Sequence, residues 1–253
     1  MQIKPILISI SLLISFHTWA QKPAVDIVKT KNGVLKIQPI SHSSLVMTYN
    51  NKTIYVDPYG GAKMYEGINP PDIILITDIH GDHLDQKTLE SIDTSKAIFI
   101  LPEEVANKLS KNYGSEIVKL QNGQGVHRLS FFITAVPMYN LPEETNSPHP
   151  KGRGNGYLLN IDDKKVYISG DTGDIKEMRM LQNIDIAFVC MNLPYTMDIN
   201  HAASAVLEFQ PKIVYPFHYR GKDGFSDIEA FKKLVNSKNK AIDVRLKNWY
   251  PSN

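Results

Sequence analysis

The sequence predicts a single α/β domain built from two sheets flanked by helices. Two observations lead there: strand and helix alternate in both halves of the chain, and several strands are apolar without interruption, as strands covered on both faces are. A third is the lack of any linker, low-complexity tract or internal repeat between residues 21 and 253. The chain has 253 residues, 42% apolar and 21% charged, which excludes disorder, collagen and coiled coil. Its formal net charge of +2 offers nothing that would draw it to nucleic acid.

In chain order, Lys4 followed by the apolar stretch Ile6 to Ile14 and the small residue of Trp19-Ala20-Gln21 reads as a secretory signal over residues 1–20. The stretch is too short for a membrane-spanning helix, so residues 21–253 are expected as a periplasmic or secreted domain with no retained anchor. Short β-rich segments follow at Val34 to Ile40, Leu45 to Tyr49 and Thr53 to Val56, the last two forming a hairpin through Asn50-Asn51. Asp72 to Thr77 has the apolar centre of a buried strand, Gln86 to Ile92 reads as a helix and Ala97 to Leu101 as a strand. The second half repeats the grammar, with strands at Phe131 to Val136, Gly156 to Ile161, Val166 to Ser169 and Ile184 to Cys190. A helix at Ala202 to Phe209 then feeds a strand at Lys212 to Pro216. Between Pro137 and Asn155 lies a long segment with four prolines and no periodicity, the kind of loop that carries function. The one cysteine, Cys190, sits in an apolar strand as an inert buried thiol, so any metal must be held by histidines and carboxylates.

The strongest chemical signal is Thr77-Asp78-Ile79-His80-Gly81-Asp82-His83 directly after a buried strand. Gly81 allows a tight turn, through which Asp78, His80, Asp82 and His83 converge where a continuing strand would send them to opposite faces. Imidazole nitrogens and carboxylate oxygens suit zinc, manganese and iron, and a mixed set can hold two ions. The cations Lys151, Arg153 and Arg220 are candidates for gripping a phosphate or carboxylate of a small, anionic substrate.

The D-x-H-x-D-H pattern of residues 78–83 resembles the H-x-H-x-D-H signature of the metallo-β-lactamase superfamily, with Asp78 in place of the first histidine. Val56-Asp57-Pro58, Ser169-Gly170-Asp171-Thr172 and Pro216-Phe217-His218-Tyr219 fall in the order of that family's further motifs, so the resemblance spans residues 34 to 220. It is nearest to the branch of the ascorbate phosphate lactonase and the N-acyl phosphatidylethanolamine phospholipase D type of enzyme. Pro137-Met138-Tyr139-Asn140, His149-Pro150-Lys151-Gly152 and Tyr195-Thr196-Met197 look like sequences of bacterial hydrolases of that branch.

The resemblance implies a four-layered αββα sandwich and an exported hydrolase with one or two divalent ions, zinc first and manganese or iron as alternatives. Asp78 and His80 would serve one ion, Asp82, His83 and His218 the other, and Asp171 would bridge them. A metal-activated hydroxide would attack an ester, lactone or phosphodiester. Asp82 or Asp171 would assist proton movement, and Tyr139, Tyr195 or Thr196 would donate to the oxyanion. Asn140 stands where many members place a further histidine; a neutral amide is a poor ligand, and His149 in the same loop is the candidate replacement. His42 is expected at the pocket, and Asp57 is expected to orient a ligand histidine through its second ring N–H. Two other readings share these residues: a di-iron redox enzyme, and a scaffold that binds metal without catalysis.

Overall fold

The structure, a computed structural model, describes residues 23–250; the signal segment read over residues 1–20 lies outside them. The first sheet comprises β1 (Asp26–Lys29), β2 (Val34–Ser41), β3 (Ser44–Tyr49), β4 (Lys52–Val56), β5 (Ile73–Leu75), β6 (Ile98–Leu101) and β7 (Glu116–Lys119), adjacent in that order. Helices α1 (Gln86–Ser91) and α2 (Glu103–Lys108) connect its parallel strands. The second sheet begins with β8 (Gly125–Arg128), β9 (Phe131–Met138), β10 (Gly154–Ile161) and β11 (Lys164–Ile168), then passes through α3 (Lys176–Arg179) to β12 (Ile186–Cys190). After α4 (Ile199–Phe209) come β13 (Ile213–Phe217) and a separate hairpin of β14 (Arg220–Gly221) and β15 (Gly224–Phe225). Helix α5 (Ile228–Lys238) and β16 (Asp243–Val244) complete this sheet, whose order is β16-β13-β12-β11-β10-β9-β8.

Alternation along the strands sorts side chains between layers, because successive Cβ atoms leave a strand on opposite faces. Ile73 and Leu75 of β5 join the large core shared with the second sheet, whereas Ile74 packs with Leu89 of α1 and Val105 of α2 in a smaller outer core. On the other side Val206 and Phe209 of α4 and Phe231 of α5 pack into the large core. Two mixed sheets face each other between helices, as the sequence predicts. The hairpin at Asn50-Asn51 forms as expected, with both residues at positive φ (48° and 59°) as a tight two-residue turn requires.

Each sheet runs from antiparallel into parallel pairing: β4-β5-β6-β7 in one, β11-β12-β13-β16 in the other. The chain leaves the C-terminal ends of β4, β5, β11 and β13 at Asp57, the 78–83 segment, Asp171 and His218. Parallel strands present their carboxyl ends along one edge, the usual place for ligands in α/β folds.

Candidate metal centre

Beyond β5 the chain is tied to both sheets before it turns. Asp57, fully buried, accepts from the Thr77 backbone N–H at 2.8 Å and from its hydroxyl at 2.6 Å, while Asn155 N of β10 donates to Thr77 O at 2.9 Å. The turn itself closes on the His80 carbonyl, which accepts from His83 N at 3.0 Å and Leu84 N at 2.7 Å. Gly81 is not what permits it: its φ is not positive, and a Cβ there would touch nothing within 4 Å. The glycine that matters sterically is Gly154, whose missing Cβ would strike Met138 Cε and lie 2.9 Å from Thr77 O and 3.2 Å from Asp78 Oδ1.

Asp171 stands at the middle of what this arrangement brings together. Its Oδ2 lies 3.3 Å from His83 Nε2 and 3.3 Å from His149 Nε2, and its Oδ1 lies 3.4 Å from His218 Nε2. His218 Nε2 is also 3.3 Å from Asp82 Oδ2. On the other side, Asp78 Oδ2 lies 2.8 Å from His80 Nδ1 and 4.0 Å from His149 Nε2. Potential donors thus fall into a group of Asp78, His80 and His149 and a group of His83, Asp171 and His218. Asp82 and His218 also gather with His42.

These residues fit divalent cations. His83 Nε2, His149 Nε2, both ring nitrogens of His218 and Asp171 Oδ1 are all buried with no hydrogen-bond partner. Buried polar atoms are ordinarily satisfied, and His83 Nε2, His149 Nε2 and His218 Nε2 all lie within 3.4 Å of an Asp171 oxygen, a donor set that suits a divalent ion. The outer contacts set the tautomers to match. His83 Nδ1 lies 2.8 Å from Asp57 Oδ2, so it donates there, and Nε2 is the nitrogen left to ligate an ion.

His149 lies beside Asp171 and Asp78, and Asn140 orients it. The Asn140 side-chain oxygen accepts from His149 N at 2.8 Å and faces His149 Nδ1 at 3.1 Å, while its Nδ2 donates to Tyr195 O at 2.8 Å. Asn140 is therefore spent on orienting His149 and is not among the cavity-lining residues. Asp57 lies behind His83, and His42, Tyr195 and Arg220 line the cavity.

Four expectations change. Arg153, read as a substrate contact, grips the buried Asp78 carboxylate instead, Nε to Oδ1 at 3.1 Å and Nη2 to Oδ2 at 2.9 Å, and also bonds the Pro148 carbonyl just before His149. Lys151 pairs with Glu143 at 2.9 Å and lies over the Tyr139 ring. Tyr139 is buried, with its hydroxyl donated to Glu177 at 2.8 Å, and Thr196 donates to Asn192 Oδ1. None of the four lines the cavity, and each is bonded to a protein partner. Asn192, two residues past β12, is the lining side chain that sequence reading missed; its place beyond a parallel strand's carboxyl end was the available signal. Cys190 is buried as expected, and burial pushes its thiol up to about 12.

The cavity measures about 450 Å³ and is lined by His42, His80, Asp82, His149, Asp171 and His218 together with Asn192, Tyr195, Arg220 and Gly221. Burial opposes the Asp171 charge, but His218 and His83 outweigh it and hold the carboxyl well below its ordinary range. Burial likewise opposes a charge on His83, and Asp171 and Asp57 more than compensate, raising its pKa. Burial, then the charges of His218 and Arg220, depress His42 to about 4, so this ring is neutral at pH 7.

The β-lactamase superfamily domain matches this chain over residues 36–218. A UPF0173 metal-dependent hydrolase of Staphylococcus carnosus is 33% identical over 218 residues, covering 80% of this chain and 93% of the relative. A crystal structure of a Parabacteroides distasonis protein assigned as a metal-dependent hydrolase superposes with a TM-score of 0.78 at 42% identity, covering 89% of this chain and 98% of that one. Igni18, a metallo hydrolase of Ignicoccus hospitalis, shares the fold with a TM-score of 0.70 at 24% identity over 84% of this chain and 94% of its own.

Proposed function

Because the chain belongs to the metallo-β-lactamase superfamily, among its UPF0173 metal-dependent hydrolases, we propose that the cavity hydrolyses an ester, lactone or phosphodiester bond. The observation that carries this reading is the convergence of the unpartnered nitrogens of His83, His149 and His218 on Asp171 at the wall of a cavity open to substrate. Asp78, His80 and His149 would hold one ion, His83, Asp82 and His218 the other, with Asp171 shared. When bound, such ions acidify a coordinated water and polarise the substrate oxygen.

The chain's own residues supply the rest. Asp171 is buried and hemmed by three imidazoles, so it serves as a fixed negative charge. Asp82 is the more accessible carboxylate, about a third exposed and on the cavity wall, and it is the better placed to accept and pass on a proton. Tyr195 and Asn192, which also line the cavity, offer hydrogen-bond donors for the substrate oxygen. The imidazoles of His80, His83, His149 and His218 support zinc as the first choice, while the carboxylates of Asp78, Asp82 and Asp171 move the preference toward manganese or iron. Nearness to the ascorbate phosphate lactonase branch and export through a signal over residues 1–20, cleaved after Ala20, complete the reading.

The test is to strip the protein with chelator, reload it with zinc, manganese or iron, and assay a panel of lactones, esters and phosphodiesters. Hydrolysis that returns with metal and is lost in His83→Ala supports the reading; a panel untouched by every loaded form refutes it. Mass measurement of exported protein beginning at Gln21 supports the signal, and an intact Met1 refutes it.

A further inference from the structure

The chain has five arginines, and four of them end on carboxylates. Arg128 meets Glu116, Arg153 meets Asp78, Arg179 meets Asp174 and Glu208, and Arg245 meets Asp26 and Asp243. Arg220 alone of the five, among the described residues, has no carboxylate partner, and it lines the same cavity as the candidate metal centre.

Its position is fixed without spending its charge. The side chain follows β13 and His218 and lies over the Tyr250 ring, with Cζ 5.2 Å from the centroid, while its backbone N–H donates to the Tyr250 hydroxyl at 3.2 Å. One Nη2 donor goes to His42 Nε2. A guanidinium can only donate, so His42 accepts through Nε2, carries its proton on Nδ1 and stays neutral. His42 is itself held by the rings of Tyr59, Tyr250 and His218 and by its carbonyl, which accepts from His218 N at 3.1 Å. The remaining guanidinium donors have no protein partner among the described residues.

An oriented cation with a neutral support and no counter-charge, beside a cavity of about 450 Å³, matches a ligand that brings the anion itself. We propose that Arg220 anchors a carboxylate or phosphate group of the substrate distinct from the bond being cleaved, so that the substrates are small anionic esters or lactones. This rests on the hydrolase reading above. Arg220, Asp82 and Asp171 line the same cavity, so an anion held by Arg220 brings the rest of the substrate into the cavity that the donor cluster lines. Arg220 acts here as a binding residue, and a planar fork grips either group with two parallel hydrogen bonds.

The test compares zinc-loaded wild type, Arg220→Gln and Arg220→Lys on 4-nitrophenyl esters that differ only in a terminal methyl, carboxylate or phosphate group. For the anionic esters Arg220→Gln should raise KM at least about tenfold with less change in kcat, as loss of a charge-assisted hydrogen bond implies. KM for the methyl ester should stay within about twofold, and Arg220→Lys should fall between. Whichever anionic ester suffers more identifies carboxylate or phosphate. Equal losses on all three esters overturn the proposal. If no ester is cleaved even by wild type, the hydrolase reading fails separately, and calorimetric titration with inorganic phosphate decides about Arg220. A Kd weakened at least about tenfold in Arg220→Gln supports the anchor, and an unchanged Kd overturns it.

Discussion

Replacing Arg153 with methionine should destabilise the metal-free protein far more than the metal-loaded one. Asp78 is fully buried, and Arg153 holds both its oxygens. Burial works against the Asp78 charge, yet His80, His83 and Arg153 together still bring its pKa from 3.8 to about 2. Removing one partner of a buried ion pair costs about 3–5 kcal/mol, and since His80 remains beside Asp78 at 2.8 Å we expect the lower end, about 3 kcal/mol. Asp78 stands where the resembled family carries a neutral imidazole, so Asp78 with Arg153 restores that neutrality. Arg153 also bonds the Pro148 carbonyl and thereby steadies the segment that carries His149. A bound divalent ion supplies positive charge of its own, which narrows the deficit. The assay is urea unfolding of wild type, Arg153→Met, Asp78→Asn and the double variant, each with chelator and with zinc. The double variant should recover at least about half of the loss in chelator, because no uncompensated charge remains. A cost below about 0.5 kcal/mol, or full additivity of the two substitutions, would refute the reasoning.

Asn140→Ala removes the acceptor that fixes His149, and competition titration with a chromophoric chelator should show one ion weakened about 10–100-fold while the other is unchanged. His42, held near 4 against an unfolded 6.5, takes up its proton first in the unfolded chain. The metal-free protein should therefore have this contribution in full above pH 6.5 and lose it as pH falls toward 4, a decline that His42→Gln flattens in pH-dependent denaturation. His83 shifts the opposite way, so its own contribution is present below pH 6.5 and drains as pH rises through its raised value, outside that window. Gly154→Ala should lower the melting temperature and metal affinity together, since its methyl meets Met138 and the Thr77 carbonyl; a variant with wild-type melting would contradict this close approach.

Features governed by local chemistry were legible in the sequence. The buried β5 strand announced itself because both its faces are covered, and the Asn50-Asn51 turn because few residues tolerate positive φ. The donor-rich 78–83 segment was legible for its density of donors, although the glycine within it was credited with a turn that backbone hydrogen bonds hold. The short strands β1, β7 and β8 escaped, because four-residue strands with one or no buried side chain leave no clear alternation. Helix α5 escaped as well, burying only Phe231 and Val235. The partnership of Arg153 with Asp78 joins residues 75 apart, and no local rule distinguishes it from a cation awaiting substrate. Asn140 and His149 are only nine apart, yet the orienting bond depends on how the loop folds back.

The central claim, that Asp171 stands between two sets of metal donors, is tested most directly by anomalous diffraction from crystals of the zinc-loaded protein at the zinc edge. A strong peak is expected about 2.0–2.2 Å from Asp82, His83, Asp171 and His218. A second, weaker peak should lie among Asp78, His80, His149 and Asp171, where Arg153 already shares the Asp78 carboxylate. Zinc found only at surface sites, with the His83, His149 and His218 nitrogens still unliganded, would contradict it.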